Sequence, residues 1–183
     1  MPRKPLPSRI YLTGFMRSGK STIGPILAER LGYDFVDLDQ RVEELAQKPI
    51  TTVFEEDGEA AFRALEADVL KETRSRDHLV VATGGGALLN QESLRLAKSA
   101  GAVIYLRLAA RALAVRLKGI TNRPVMQDQN GEVLSESALL ARIEELLAER
   151  AHYYEQADFI VEADGLSPDA VVEAITGALN ERA

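Results

Sequence analysis

The sequence predicts an α/β fold, a five-stranded parallel sheet flanked by helices. Three observations support it. Short apolar runs alternate with longer segments of helical periodicity, some of those runs are almost wholly apolar, and a glycine-rich turn joins the first run to the first helical segment. The strand candidates are Arg9–Thr13, Phe35–Leu38, Leu79–Ala82, Val103–Leu106 and Phe159–Val161. Runs such as Leu79-Val80-Val81-Ala82 lack polar alternation, as expected of parallel strands covered by helices on both faces. Helical spacing of apolar residues marks Lys20–Leu31, Asp39–Ala46, Glu59–Thr73, Glu92–Ala100, Ala109–Leu117, Glu136–Tyr154 and Asp169–Leu179. Ser167-Pro168 before the last segment reads as a helix cap followed by a first-turn proline. Pro25 inside the first helical segment removes one backbone donor, near the carbonyl of Ser21, and suggests a kink.

At 183 residues and 46% hydrophobic content the chain is long enough for one well-buried core, so residues 1–183 are expected to form a single domain. Residues 1–8 are read as a flexible tail without the apolar core of a signal peptide, and no apolar stretch nears the roughly 20 residues that span a bilayer. A soluble, cytoplasmic protein is expected, with no membrane partner. The absence of cysteine excludes disulfides, thiolate zinc sites and thiol catalysis. The net charge of −6 argues against nucleic acid as a partner. Against that average, Arg107, Arg111, Arg116, Lys118 and Arg123 form a cationic run without an acid, either a solvated helix face or a place for anions. His78 and His152 lack metal-ligand spacing and read as exposed residues.

Residues Gly14-Phe15-Met16-Arg17-Ser18-Gly19-Lys20-Ser21 match G-x-x-x-x-G-K-[ST] between a strand and a helix, with Thr22 next in the helix. Such a loop wraps backbone N–H groups around phosphates, Lys20 reaches the β- and γ-phosphates, and the Ser21 hydroxyl ligates Mg²⁺. The motif therefore points to a nucleoside triphosphate. Asp37 and Asp39 end the second strand, where open α/β sheets bind ligands; one is placed to hold Mg²⁺ and the other to meet an acceptor hydroxyl. The competing reading of Asp39 is as cap of the helix that follows.

Arg63 and Glu66 are three residues apart on one helix face, either a surface ion pair or an arginine oriented to grip a substrate carboxylate, and spacing alone leaves both open. Gly84-Gly85-Gly86 directly follows the third strand and signals close backbone approach to a ligand or another segment. The polar, turn-rich stretch 118–135 is a candidate lid. A regulatory GTPase is disfavoured: Asn-Lys-x-Asp is absent, and the one Asp-x-x-Gly, Asp128–Gly131, lies in the polar stretch.

Gly14–Thr22, Asp37-x-Asp39, Gly58-Glu59-x-x-Phe62-Arg63-x-x-Glu66, Gly84-Gly85-Gly86, Asn122-Arg123-Pro124 and Arg150-x-x-x-Tyr154, taken in order, resemble the shikimate kinase family over about residues 9–170. The resemblance implies a P-loop nucleoside monophosphate kinase-like fold with a lid loop, and transfer of the γ-phosphoryl of ATP to the 3-hydroxyl of shikimate, a step of chorismate and aromatic amino-acid synthesis. It implies Lys20, Asp39 and Arg123 as catalytic, with Asp39 receiving the acceptor hydroxyl. ATP would lie against Gly14, Arg17, Ser18, Gly19, Lys20, Ser21, Thr22, Arg116 and Arg123, with adenine near Asp164–Pro168. Shikimate would contact Asp39, Arg63, Gly84, Gly85, Gly86 and Arg150, Glu66 holding Arg63. Mg²⁺ would be held by Ser21 and, through water, by Asp37. A monomer is implied. The chain departs from the family pattern at Arg17, where a glycine is usual, at Val125-Met126 in place of two leucines, and at Pro25. The rivals are a gluconate-type or nucleoside monophosphate kinase on the same fold, and an ATP-binding regulator without a substrate.

Overall fold

A computed structural model describes residues 5–118 and 132–181. Its centre is an all-parallel sheet of five strands in the order β2-β3-β1-β4-β5, so the expected fold class holds. The strands are β1 (Arg9–Thr13), β2 (Asp34–Asp37), β3 (Leu79–Ala82), β4 (Ala102–Arg107) and β5 (Phe159–Glu162). The helices are α1 (Lys20–Leu31), α2 (Leu38–Ala46), α3 (Ile50–Glu56), α4 (Gly58–Glu72), α5 (Gln91–Ala100), α6 (Ala110–Leu117), α7 (Glu136–Tyr154) and α8 (Pro168–Glu181).

Because successive side chains of a strand point to opposite faces, β1 and β3 feed two cores. Ile10, Leu12 and Val80 pack on one face with Ile23, Leu27, Ile143, Val172 and Ile175. Tyr11, Leu79 and Val81 pack on the other with Leu38, Val42, Phe62, Val69 and Leu94. All four residues of β3 are buried, which is why its sequence shows no polar alternation. At the amino ends of the strands, Leu6 packs against the first core, and the Pro7 carbonyl accepts from the Tyr33 hydroxyl at 3.1 Å. Residues 5–8 of the expected tail are thus held against the sheet.

Element ends shift by one or two residues at several places, and two differences from the sequence reading stand out. Strand β2 covers Asp34–Asp37, one residue earlier at each end than Phe35–Leu38. The Asp37 side chain accepts from the backbone N–H of Asp39, and this cap draws Leu38 into α2. Helix α3 has no counterpart among the sequence assignments: Ile50–Glu56 is two turns long, buries only Val53, and has no side-chain cap. Helix α1 runs unbroken through Pro25. Ser21, whose carbonyl would have bonded the missing N–H, is exposed, so water can satisfy it. Ser167 caps α8 as expected, its hydroxyl accepting from the Ala170 N–H at 3.2 Å.

Candidate active site

The site lies beyond the carboxyl ends of β1, β2 and β3, where the connections that follow the three strands meet. Buried β1 delivers the phosphate loop. Gly14 sits at φ 145° with the Leu106 carbonyl so near that a Cβ would come within 2.8 Å of it, so this close approach of loop to β4 requires glycine. Gly19, at φ 104°, heads α1 without a side-chain cap, and a helix N-terminus left uncapped in this way suits an anion. Arg17, the departure from the family's glycine, takes φ 62°. The loop therefore keeps a left-handed residue there at a steric penalty of about 1–2 kcal/mol.

Lys20 is 8% exposed and folds back across this loop. Its ammonium donates to the Gly14 carbonyl at 2.9 Å, the Phe15 carbonyl at 3.0 Å and Ser18 Oγ at 3.3 Å. Burial pulls its pKa down to about 8, against the opposing pull of Asp39 and Asp37. The next residue, Ser21, donates its hydroxyl to Asp37 Oδ2 at 2.6 Å. Asp37 thus caps α2 with one oxygen and meets Ser21 with the other. The alternative reading of Asp39 as the helix cap is corrected: Asp39 lies in the first turn of α2, its backbone N–H capped by Asp37.

The side chain of Asp39 turns instead toward Gly84. A Cβ on Gly84 would stand 2.6 Å from Asp39 Oδ1 and 2.9 Å from Glu66 Oε1, and one on Gly86 would stand 2.7 Å from Arg63 Nη1. The glycine triplet leaves the space that these three side chains occupy, and Gly85 lies against the phosphate loop near Met16. The Arg63–Glu66 pair, left open by spacing, is not a solvated surface pair. Its contact is 2.8 Å, with Arg63 half exposed and Glu66 only 5% exposed. Burial raises the pKa of Glu66, and Arg63 opposes that rise by stabilising the carboxylate. Glu59 approaches Arg63 at 3.4 Å from the solvent side.

Arg150, on α7, places its guanidinium 5.1 Å from the centre of the Phe15 ring, and its charge is felt at Lys20. Arg63 and Arg150 therefore reach the site from separate helices. Arg116 donates to the carbonyls of Arg17 at 3.2 Å and Ser18 at 3.4 Å, tying α6 to the phosphate loop. A cleft of about 230 Å³ opens beside it, lined by Gly19, Thr22, Arg116, Leu166 and Pro168. It includes part of the Asp164–Pro168 loop expected near adenine. Elsewhere in the cationic run, Arg107 pairs with Glu162 at 2.8 Å on the sheet's edge. His78 and His152 are exposed, as read.

Arg123 and most of the candidate lid 118–135 lie outside the described residues. Sequence reasoning left Tyr154 and Tyr105 without a role. Tyr154 donates its hydroxyl to the Gly85 carbonyl at 3.0 Å and stacks on Tyr105, and the one local signal was its i,i+4 spacing from Arg150.

The sequence profile of the family described as "Shikimate kinase" matches residues 16–180. The chain belongs to the shikimate kinase family. A shikimate kinase from Prosthecochloris aestuarii is 46% identical over 170 residues, covering 93% of this chain and 86% of that protein. A solved shikimate kinase from Acinetobacter baumannii, in complex with shikimate, is similar at a TM-score of 0.85 and 33% identity, covering 97% of this chain and 94% of that one. A gluconokinase from Sinorhizobium meliloti, at a TM-score of 0.57 and 23% identity, shares the fold alone. Membership of the shikimate kinase family makes the chain an ATP-dependent kinase and disfavours the gluconate-type rival.

Proposed function

We propose that this protein transfers the γ-phosphoryl of ATP to the 3-hydroxyl of shikimate, giving shikimate 3-phosphate and ADP. The observation that carries the reading is the convergence of Asp39 and the Glu66-held Arg63 on Gly84–Gly86, with Arg150 over Phe15 of the adjoining phosphate loop. One carboxylate and two arginines suit an acceptor that bears both a hydroxyl and a carboxylate. ATP would lie with its phosphates over Gly14–Thr22 and its base toward the cleft beside Arg116.

Phosphoryl transfer passes through a loose transition state, so positioning and charge neutralisation dominate. Lys20 would leave the Gly14 and Phe15 carbonyls for the phosphate oxygens, a stronger charge-assisted partner. Asp39 would orient the 3-hydroxyl and take its proton as the new O–P bond forms and the bond to the β,γ-bridging oxygen breaks. Arg63 and Arg150 would hold the carboxylate, fixing which hydroxyl faces the phosphate. Mg²⁺ fits the hard oxygens of Ser21 and Asp37, which already meet at 2.6 Å. Bound there with the nucleotide, it would neutralise phosphate charge. No group of three or more acidic or histidine ligands occurs among the described residues, in keeping with a metal held largely by substrate phosphates and water.

We read residues 1–183 as one kinase domain, monomeric and cytoplasmic. A dimer mass in sedimentation would contradict the monomer. Among the described residues no helix is long and apolar enough to cross a membrane. The function is tested by ADP release with shikimate, gluconate and each nucleoside monophosphate. Stimulation by shikimate alone is expected; stimulation by another acceptor and none by shikimate would overturn the reading.

A further inference from the structure

Glycine triplets are conformationally loose, and three in a row give up a large backbone entropy when ordered. Here the triplet nonetheless stands within a few ångströms of Asp39, Glu66 and Arg63, so something must hold it in register. Tyr154 is built to do so. It is the last residue of α7 and 2% exposed. Its ring stacks on Tyr105 of β4, with centroids 4.8 Å apart and planes 18° from parallel. Its hydroxyl donates to the carbonyl of Gly85, the middle residue of the triplet, across 69 positions of sequence.

Arg150 precedes Tyr154 by one helical turn on the same face of α7. The Arg150 charge acts on the phenol of Tyr154, whose proton is committed to the Gly85 carbonyl. Burial pushes the phenol pKa up to about 12, which keeps the hydroxyl a neutral donor at any working pH. The Arg150 guanidinium itself lies over the Phe15 ring.

We infer that Tyr154 is a positioning residue of the acceptor site, tying the Gly84–Gly86 loop to the helix that carries Arg150 so that both meet the acceptor's carboxylate in one geometry. It touches neither substrate nor the reacting atoms. The inference rests on the proposed acceptor site. A bare packing role would predict lower stability with both substrates affected alike. A positioning role predicts a loss confined to the carboxylate-bearing substrate.

The test is Tyr154→Phe, which keeps ring, stack and burial while removing the hydroxyl. The expected result is a rise of about tenfold in the KM for shikimate, the upper end of what one ordinary hydrogen bond contributes, with the KM for ATP changed less than twofold. In an Arg150→Ala background the same substitution should add little, because the two residues act as one unit. With shikimate methyl ester as acceptor, the Tyr154→Phe penalty should shrink in the same way. An unchanged KM for shikimate, a parallel rise in both KM values, or an equal effect with and without Arg150 overturns the inference. Should Tyr154→Phe fail to fold, Tyr105→Leu removes the stack that fixes the ring and leaves the hydroxyl. It should raise the KM for shikimate selectively, and an unchanged value again overturns the inference. Wild-type enzyme assayed alongside separates the two claims, since absence of shikimate-dependent ADP release there refutes the proposed function rather than the role of Tyr154.

Discussion

Replacing Lys20 by methionine should change the pH dependence of stability in a way that follows from where the ammonium sits. The side chain is buried, and its pKa falls from 10.5 to about 8 on folding. At 1.36 kcal/mol per pH unit, that gap corresponds to about 3 kcal/mol by which the buried cation opposes folding. For a base whose folded pKa is depressed, the unfolded chain binds more protons between the two values, so stability rises with pH there. The penalty is fully present below pH 8 and is relieved between 8 and 10.5. Between pH 7 and pH 9, wild type should gain about 1 kcal/mol over Lys20→Met, since the methionine cannot titrate. Urea denaturation of both proteins at each pH reads this difference, and the other titrating groups cancel. A difference that stays flat, or that falls as pH rises, would refute the placement of Lys20 as a desolvated cation. The same reasoning requires ATP, by supplying negative charge, to draw a proton onto Lys20 at pH 9. Calorimetric titrations in buffers of unlike ionisation enthalpy should show that uptake in wild type and lose it in Lys20→Met.

Asp39→Asn should cut kcat by about two orders of magnitude or more, the scale of one general-base contribution, and leave the Kd for ATP within threefold; an equal loss of ATP affinity would move Asp39 to the metal. Gly84→Ala places a methyl 2.6 Å from Asp39 Oδ1 and 2.9 Å from Glu66 Oε1, where Glu66 is buried and cannot retreat freely. Thermal denaturation should show a loss of about 1–3 kcal/mol, and kinetics a rise in the KM for shikimate; a normal enzyme would mean that Asp39 is not packed against the triplet. Arg17→Asn should raise stability by about 0.5–1 kcal/mol, because asparagine tolerates the left-handed region better than arginine, whereas Arg17→Val should lose about 1 kcal/mol more, because a β-branched residue tolerates it least. Equal stability of the two would place Arg17 outside that region.

The strands and the phosphate loop were legible because their signals are local: an apolar run, two glycines at fixed spacing, a lysine and a helix. The placement of Asp37 and Asp39 at a strand end was legible too, but their division of labour was not. Which of two acids caps a helix depends on side-chain direction, and the cap itself moved the β2 boundary by one residue. Helix α3 escaped notice because two turns with one buried residue carry no periodicity to detect. Spacing could not decide the Arg63–Glu66 pair, because solvated pairs on helices have the same spacing; the Glu66 carboxylate is buried where the glycine loop, a distant segment, packs against it. Tyr154 was hidden for a similar reason, its partner being a backbone carbonyl supplied by a distant segment.

The most direct measurement is ³¹P NMR of a reaction containing the enzyme, ATP, Mg²⁺ and shikimate, with the product's phosphorus coupling traced to a ring proton. The expected result is one new phosphate monoester coupled to the proton on carbon 3, appearing in step with ADP. Inorganic phosphate as the sole new signal, or an ester on another hydroxyl, would contradict an acceptor held by Arg63 and Arg150 with its 3-hydroxyl turned toward Asp39.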